Sequence, residues 1–440
     1  MNSSTSSSSN HRRHLAGLSC FATLLTLLLT VASSHFLPLF DSSPHVVLPP
    51  PSTFSFRHTL ASALLRWDAF HFGHIARDGY VYEHEWAFFP GAPYVMKFAA
   101  AVLDSLSSQG TGDSSAHEAR QWENIMLGGL TASLLSVPST LVLYELTLAH
   151  FGSQNIAFLA SLLSLLPSSP ATLRIAGYTE PFFTFLSYSG MLLCARRRWM
   201  LATCCFAAAT TFRSNGIFLC GFIAWGLVID PLISYRKFHL GRALYAVMLC
   251  SCAVSFFVYH QYRAYELFCS GQATPAPWCA SFPPSIYGYV QAKYWNVGFL
   301  RYWTVQQLPN FLLGTPPLAL LIAFTLRYTH LAFLPRLFAF FSSTAPERRS
   351  AGGTREAGRS PFLTPAIAPH VIHGLVLCLL LLFASHTQIV LRQAASMPLT
   401  YWAAAWFLVE RPRMGRWWVG WSVVWGAVSC VLWAAFLPPA

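Results

Sequence analysis

The chain has 440 residues, of which 54% are hydrophobic and only 10% are charged, with a net charge of +12 and a mean hydropathy of +0.45. A soluble protein carries roughly 25% charged residues, so this composition excludes an ordinary set of soluble domains. Apolar runs long enough to cross a bilayer core of about 30 Å recur along the chain. They predict an all-α protein that crosses a membrane many times, with no internal repeat and no separate soluble domain.

The basic residues lie in short clusters between the apolar runs, for example HRRH at 11–14, RRRW at 196–199 and ERPRMGR at 410–416. Such clusters are typical of loops on the cytosolic side of a membrane. Nucleic-acid binding needs a basic patch or stripe on one face of a fold. The pattern therefore indicates membrane topology and no nucleic-acid partner.

The chain begins with a serine-rich tract, and we predict that residues 1–14 are a disordered cytosolic segment. The apolar run at 15–40 is too long for the core of an ordinary signal peptide. It is interpreted as a signal anchor with the N-terminus in the cytosol, and a cleaved signal peptide is the alternative. Residues 15–437 are then expected to form one transmembrane domain.

Two long polar segments interrupt the apolar runs, at 41–122 and at 265–307. Within the first, 58–77 and 86–106 are apolar enough to predict short helices that lie at the membrane surface. The eleven cysteines form no CxxC pair. Two of them, Cys269 and Cys279, fall in the second polar segment, and a disulfide is expected there if that segment faces an oxidising lumen.

The remaining apolar runs determine the predicted topology. If the RSNG motif at 213–216 is a turn between two half-spans, the later basic clusters fall on the cytosolic side and both polar segments lie on the opposite side. This arrangement gives about 11 transmembrane helices and places a disordered polar loop at about 342–361 in the cytosol. The runs are 125–150, 153–169, 178–195, 199–212, 216–233, 241–263, 308–329, 366–391, 395–410 and 417–437.

Four of the 16 acidic residues fall within one stretch, RWDAFHFGHIARDGYVYEHEWAFFPGAP at 66–93. In a helix that begins near His58, Asp68 and His71 share one face. An aspartate at the membrane surface among aromatic side chains is partly desolvated, which favours a role as a base. A carboxylate can accept the proton of a hydroxyl as its oxygen attacks carbon. The alternative is a structural carboxylate bound to Arg66 or to a backbone N–H.

The stretch resembles the WDA…F…IA..GY.YE…AFFP…P block of the GPI mannosyltransferase 2 (PIG-V) family, and four further blocks follow in the family's order. They are GYTEPFFTFLSYSG (177–190), TTFRSNGI (210–217), PWCASFPPSIYGYVQAKYWNVGFLRYWTVQQLPNFLLGTP (277–316) and HTQIVLRQAASMPLTYW (386–402). The matches run from about 66 to 402 and together are specific, although each block alone is weak. The N-terminal serine tract and 342–361 lie outside the resemblance.

The resemblance implies a GT-C-type glycosyltransferase of the endoplasmic reticulum with its active site on the lumenal side. Its donor would be dolichyl-phosphate mannose, and its acceptor would be the one-mannose GPI precursor, which receives a second mannose in α-1,6 linkage. A β-linked donor and an α-linked product require inversion, hence a single displacement with one base. Asp68 matches the family's aspartate after tryptophan, and we expect it to be this base.

Other residues of the matching blocks are candidates for supporting roles. The departing phosphate needs hydrogen-bond donors or positive charge, for which the candidates are Lys293, Arg301, His386, Arg392 and Arg213. Candidates for orienting the base or binding the acceptor are His71, Glu83, Glu85 and Glu180. Candidates for stacking on sugar or dolichol are Trp67, Trp86, Tyr294 and Trp295. Each also has a structural explanation, as a membrane anchor, an interface aromatic or an ion pair; Glu180, for example, follows Arg174.

The sequence contains no HExxH motif and no DxD pair, and a monophosphate leaving group depends less on a metal. We therefore expect no metal and no cofactor, and leave open a small membrane partner subunit. The alternatives are a transporter or scramblase, an intramembrane protease, a related enzyme that acts on another lipid-linked acceptor, and a non-catalytic subunit. The first needs polar residues along its spans or repeat symmetry, and the second needs a catalytic set within the spans, neither of which we find.

Overall fold

The computed structural model describes residues 2–106, 114–166, 169–342 and 360–437. Within these ranges the chain forms 21 α-helices, linked by loops and by short 3-10 or π-helical turns, and contains no β-strand. The helices, numbered in chain order, are α1 Asn2–Phe36, α2 Ser43–Val47, α3 Phe56–Leu64, α4 Asp68–Asp78, α5 Gly91–Leu106, α6 Ser114–Gly128, α7 Ser136–Phe151, α8 Gln154–Leu163, α9 Pro170–Arg174, α10 Glu180–Ala195, α11 Trp199–Thr210, α12 Cys220–Ala224, α13 Asp230–Tyr235, α14 Leu240–Phe268, α15 Ile286–Trp295, α16 Leu308–Tyr328, α17 Leu334–Phe341, α18 Ala368–Phe383, α19 Val390–Gln393, α20 Pro398–Glu410 and α21 Pro412–Ala434.

Seven helical stretches of the described chain are long and apolar enough to cross a membrane. They are Ser8–Phe36, His117–Phe151, Ser214–Tyr235, Leu240–Phe268, Val305–Phe341, Pro365–Phe383 and Pro412–Ala434. Several combine two or more numbered helices, because a tight helical turn joins them without ending the apolar run. Helices suit this environment because they satisfy their backbone hydrogen bonds internally. The protein is therefore an all-helical polytopic membrane protein, as predicted.

Two shorter apolar helices account for part of the difference between these seven stretches and the predicted count of about 11. Helices α8 and α11 have 10 and 12 residues, which is about 15–18 Å at 1.5 Å per residue and less than a bilayer core. Helix α8 buries Ala160 and Leu163, and α11 buries Ala202 and Phe206, against neighbouring helices. The count of about 11 stays a prediction.

The N-terminal helix differs from the predicted disorder at 1–14, because α1 begins at Asn2. Arg12 makes a salt bridge of 2.7 Å to Glu145 of α7, and the ring of His11 lies 4.6 Å from that of Phe158 in α8. Once a helix is anchored by tertiary contacts, each further turn adds hydrogen bonds without a new nucleation cost. Residues 2–14 therefore continue the helix. The loop predicted at 342–361 lies mostly outside the described residues.

The two polar segments meet at one end of the helix bundle. Lys293 of α15 lies 2.7 Å from Glu83 of the first polar segment. Helices α14 and α16 both lead away from the second polar segment, and their far ends carry the basic loops. There Arg236 donates to the carbonyls of Ala339, Phe340 and Ser342, and Arg327 pairs with Glu410 at 2.7 Å. The polar segments and these basic loops therefore occupy opposite ends of the bundle.

Close backbone packing brings distant segments to the polar end. A Cβ atom on Gly129 would lie 2.7 Å from the Cα of Gly177, so a side chain at 129 would push the segment before α10 away. The N–H of Gly91 donates to the carbonyl of Thr211 at 2.8 Å. Helix α11 ends at Thr210 and the next helical turn begins at Ser214, so the predicted RSNG break is present. The starts of α5 and α10 and the RSNG break are thus neighbours.

Candidate active site

The helix predicted at 58–77 is two helices, α3 and α4, and Asp68 is the first residue of α4. Trp67 before it has φ 51°, a conformation that is unfavourable for a residue other than glycine. Neither proline nor glycine causes this break. It depends on the buried Arg66 guanidinium, which donates to the carbonyls of Leu65 at 2.8 Å and Ala434 at 3.0 Å, and also to that of Ser62.

The C-terminal end of the chain supports the same break. The indole of Trp67 stacks on Phe436 with ring centroids 4.9 Å apart. Tyr178, which is 1% exposed, donates its hydroxyl to the carbonyl of Arg66 at 2.8 Å. These contacts hold the start of α4, and with it Asp68, against α21 and the segment before α10. Trp67 is partly buried, and Phe436 covers one face of its ring. Its predicted role in stacking on sugar or dolichol stays a prediction.

This support gives a testable stability effect. Replacing Arg66 by glutamine removes the donors that reach Ala434, and each buried carbonyl left without a partner costs about 1–3 kcal/mol. We expect Arg66→Gln to lower the free energy of unfolding by that amount, measured by thermal unfolding of the purified protein in detergent. Arg263→Gln removes an exposed arginine with an exposed partner and should change it by less than about 0.5 kcal/mol. Equal values for the two variants would contradict this role of Arg66.

Three charged residues from distant parts of the chain meet beside Asp68 and form with it a group of four. Arg392 of α19 donates to Asp68 Oδ2 at 2.9 Å and to Glu180 Oε1 at 2.6 Å. Arg213 donates to the same Glu180 oxygen at 2.7 Å and to the hydroxyl of Thr179 at 3.3 Å. The order Asp68–Arg392–Glu180–Arg213 alternates acid and base. The pairing of Glu180 with Arg174 that the sequence suggested is absent.

Local structure explains why the carboxylates are stable in this place. Asp68 and Glu180 are the first residues of α4 and α10, where the unpaired N–H groups and the helix dipole favour negative charge. Glu180 is only 3% exposed and has two arginine partners, whereas the side chain of Asp68 is 32% exposed. Within this group Asp68 is therefore the carboxylate that a ligand can reach most easily.

A cavity of about 490 Å³ lies beside this charged group, and three of its four members line the cavity. Its charged residues Asp68, Arg213 and Arg392 are joined by hydroxyl and amide side chains of Thr179, Ser214, Asn215, Tyr287, Gln291, Ser385 and Gln393. The rest of the wall is mainly apolar, from Phe72, Phe88, Phe89, Phe212, Ile217, Phe218, Phe257, Val297, Leu377, Leu380, Leu381 and Ile389. A space of this size with one charged region and apolar walls suits a ligand that has a polar head and a hydrocarbon tail.

The sequence did not single out the uncharged polar residues of this cavity. Ser214 and Asn215 stand in the RSNG motif, and Gln393 follows Arg392. Their position within blocks that match the family is the feature of the sequence that could have identified them. Ser214 donates to the hydroxyl of Tyr287 at 2.8 Å. Tyr287 comes from α15, so the second polar segment supplies one wall of the cavity.

Several candidates of the first polar segment lie outside this cavity. Glu83 forms an ion pair with Lys293 at 2.7 Å and accepts the hydroxyl of Tyr294 at 2.9 Å. The hydrogen bond to Glu83 raises the pKa of Lys293. These three residues satisfy one another at the surface and join the two polar segments. They are positioned as a bridge between loops, and neither Lys293 nor Glu83 faces the charged group.

Glu85 and Trp86 are buried within the first polar segment. Glu85 accepts the backbone N–H groups of Val81 and Tyr82, each at 2.9 Å, and contacts His74 Nδ1 at 2.6 Å. It therefore stabilises the turn before α5. Trp86 is 6% exposed and stacks on Tyr80 at 4.5 Å, so its faces are covered by protein.

His71 lies next to the cavity, one turn beyond Asp68, and stacks on Phe88 at 4.5 Å. Burial lowers the pKa of His71, so the imidazole is neutral near pH 7. The stacking holds the ring against the cavity wall, where it contributes packing.

The remaining donor-phosphate candidates also lie outside the cavity. His386 Nε2 donates to the carbonyl of Trp295 at 2.7 Å and its ring stacks on Tyr302 at 4.5 Å, so His386 joins the second polar segment to α18. Trp295 packs edge-on against Phe88. Arg301 is exposed. Arg213 and Arg392 are therefore the two of the five basic candidates that the fold brings to the cavity.

The described residues contain a disulfide and no cluster suited to a metal. Cys269 and Cys279 are joined, with Cα atoms 5.6 Å apart, and the disulfide closes the loop that precedes α15. No group of three or more His, Cys, Asp or Glu side chains with the arrangement of a metal site is present in the part of the chain that the structure describes.

The fold and the cavity define a class of protein. Membrane-spanning helices surround a cavity that combines a reachable carboxylate, two arginines and apolar walls, which is the combination required of an integral membrane enzyme for lipid-linked substrates. The chain belongs to the mannosyltransferase (PIG-V) family, whose family model matches residues 14–440. This result confirms the family predicted from the motifs, and the protein is a membrane glycosyltransferase.

Individual relatives are similar over nearly their whole length. GPI mannosyltransferase 2 of Cryptococcus neoformans is 38% identical over 452 aligned residues, which cover 96% of this chain and 97% of the relative. GPI alpha-1,6-mannosyltransferase 2 of Rattus norvegicus is 32% identical, with 89% of this chain and 83% of the relative covered. GPI mannosyltransferase 2 of Schizosaccharomyces pombe is 30% identical, with coverage of 95% and 83%. No solved structure matches this chain.

Proposed function

We propose that this protein transfers the second mannose, in α-1,6 linkage, from dolichyl-phosphate mannose to the one-mannose GPI precursor at the lumenal face of the endoplasmic reticulum. The main support for this proposal is the cavity with apolar walls in which Asp68 and Arg392 form a salt bridge. Both substrates are lipids with sugar heads, so their reacting groups must meet where polar and apolar surfaces adjoin. The names of the relatives supply the sugar, the α-1,6 linkage and the GPI glycolipid.

Asp68 acts as the base in this proposal. Its carboxylate takes the proton of the acceptor 6-hydroxyl while the oxygen attacks C1 of the donor mannose. The bond between C1 and the phosphate oxygen breaks, and dolichyl phosphate leaves with the electron pair, so that configuration at C1 is inverted. The contact with Arg392 uses Oδ2 of Asp68, which leaves Oδ1 for the hydroxyl.

Arg392 and Arg213 stabilise the departing phosphate in this proposal. Charge develops on the phosphate oxygens in the transition state, and positioned guanidinium groups stabilise such charge most in a site with little water. The buried Glu180 holds both arginines in place through contacts of 2.6 and 2.7 Å. Glu180 is thus a positioning residue for the two cations, and no metal is required for the step.

The direct experiment is mannose transfer in microsomes. Labelled dolichyl-phosphate mannose and the one-mannose GPI precursor are supplied to membranes from cells that lack endogenous activity and express this chain. We expect a labelled two-mannose product that α-1,6-specific mannosidase digests. A folded protein that gives no product would point to a required partner subunit or to another acceptor, and a scan of lipid-linked acceptors, including N-glycan precursors, would distinguish these. Transfer to such an acceptor alone would refute the proposed function.

The proposed sidedness predicts the redox state of the second polar segment. Nine cysteines of the described residues are free, and Cys269 and Cys279 are paired. A disulfide persists in the oxidising lumen and is rare in the cytosol. Thiol alkylation of the SDS-denatured protein should label two more cysteines after reduction than before, counted by mass. The Cys269→Ser/Cys279→Ser variant should show no difference. Equal labelling of the wild-type chain would contradict a lumenal position for this segment.

A further inference from the structure

A second, smaller cavity lies behind the candidate active site, among α7, α9, α10 and α20. Its volume is about 50 Å³, several times the roughly 10–15 Å³ needed for one water. Seven of its twelve lining residues carry hydroxyl groups, and none is acidic. Its one charged lining residue is Arg174, the last residue of α9. In the described chain, one cation and several hydroxyl groups therefore line the same cavity.

Arg174 is a buried cation without a carboxylate partner among the described residues. It is 5% exposed, and its terminal nitrogens donate to the hydroxyl of Ser136 at 3.0 Å and the carbonyl of Ser164 at 3.3 Å. Its Nε is buried and has no partner in the described part of the protein. Glu180, the nearest acid along the chain, is bound by Arg213 and Arg392. A buried unpaired charge is strongly unfavourable, so a bound anion would relieve it.

The chemistry of the lining selects the type of anion. A guanidinium fork and hydroxyl groups, such as those of Ser139 and Thr184, suit a tetrahedral group that offers several oxygen acceptors. A single positive charge matches a phosphodiester, which carries one negative charge, better than a phosphate monoester with its charge near −2. Because the cavity adjoins the membrane-spanning stretch His117–Phe151, a ligand reaches it most readily as part of a lipid.

The small cavity shares its walls with the active site. Glu180 belongs to the charged group, and Pro181 after it lines the small cavity. Likewise Arg392 faces the large cavity, and Ala395, three residues later, faces the small one. A ligand beside Arg174 would therefore pack against the two backbone segments that carry Glu180 and Arg392.

We propose that the cavity around Arg174 binds the phosphodiester group of a membrane lipid, at a site separate from the cavity that contains Asp68. The phosphodiester can belong to a bulk phospholipid or to a lipid-linked glycan. Binding at this site is measured without mannose transfer, so its failure and that of the proposed function are distinguishable.

The test is native mass spectrometry of the purified, delipidated full-length chain in a maltoside detergent. Phosphatidylinositol is titrated into wild type, Arg174→Gln and the control Arg301→Gln, which removes an exposed arginine. We expect one tightly bound lipid in wild type and control, and an apparent affinity at least about tenfold weaker in Arg174→Gln, since a charge-assisted contact is lost. The one-mannose GPI precursor is then added to displace the bound phosphatidylinositol. Displacement at a precursor concentration below that of phosphatidylinositol would assign the site to a glycolipid, and a need for a higher concentration would assign it to bulk lipid.

Other outcomes overturn the proposal. Equal phosphatidylinositol binding by wild type and Arg174→Gln would do so, as would binding of inorganic phosphate as tightly as the lipid. Arg174→Gln is informative only if it folds, so Thr184→Leu provides a second variant that fills the cavity and leaves the arginine in place. Thr184→Leu should also weaken lipid binding about tenfold, and unchanged binding would overturn the proposal regardless of the arginine variant.

Discussion

Replacing Asp68 by asparagine is expected to lower mannose transfer by about 10²–10⁴-fold, the range over which positioned general bases contribute. Asparagine keeps the size of the side chain but has no negative charge, so the variant loses both the ability to accept the proton and the ion pair with Arg392. Asp68 is the reachable carboxylate of the charged group, at 32% side-chain exposure against 3% for Glu180. The measurement is initial transfer rate in microsomes at matched expression.

The control for this variant lies on the same helix. Asp78→Asn changes the same chemical group ten residues later, where the carboxylate pairs with Arg77 outside the cavity. We expect its transfer rate to stay within about twofold of wild type. If Asp68→Asn retained full transfer, Asp68 would not be the base, and Glu180 would be the next carboxylate to test.

Replacing Arg392 by glutamine is expected to affect both stability and transfer. Arg392 joins Asp68 and Glu180, and removal of one partner from a buried ion pair costs about 3–5 kcal/mol. Because Glu180 keeps its contact with Arg213 and Asp68 is partly exposed, we expect a loss of stability below that range. Transfer should fall further than the folded fraction, since the departing phosphate also loses a cation. The folded fraction is measured by size-exclusion chromatography of the protein in detergent, and the transfer rate is divided by this fraction.

A double substitution separates the two effects. Arg392→Gln leaves the two carboxylates with one cation, Arg213, and the second substitution in Arg392→Gln/Glu180→Gln removes this excess negative charge, so part of the stability should return while transfer stays low. Arg301→Gln is the matched arginine control, because sequence favoured Arg301 equally and the fold leaves it exposed. Recovery of transfer together with stability in the double variant would show that Arg392 has a structural role alone.

The membrane character and the order of the segments could be predicted from the sequence because hydropathy is a local property. Long apolar runs predict membrane-spanning helices without any knowledge of the fold, and the RSNG break is present where the two half-spans meet. The break before Asp68 could not be predicted in this way. It depends on hydrogen bonds from Arg66 to Ala434, 368 residues away, and on no helix-breaking residue nearby.

The candidate site shows the same limit. Asp68 and Arg392 were each identified from motifs, but their contact spans 324 residues and no spacing rule reports it. Glu83 was a candidate for orienting the base or binding the acceptor, and Lys293 was a candidate for binding the donor phosphate, yet the two form an ion pair with each other. In a chain with so few charges, most buried or half-buried charged groups find a partner within the protein. Sequence therefore identifies which charged residues matter, and the fold decides which of them remain available to a substrate.

The attachment of Asp68 to the far end of the chain has a consequence for biosynthesis. Arg66 and Trp67 take their position from Ala434 and Phe436, which the ribosome adds more than 360 residues later. At the roughly 5–20 residues per second of translation, about 20–70 seconds separate the synthesis of Asp68 from that of its support. Until α21 has been made, the turn that carries Asp68 therefore lacks the contacts that hold it in the finished fold.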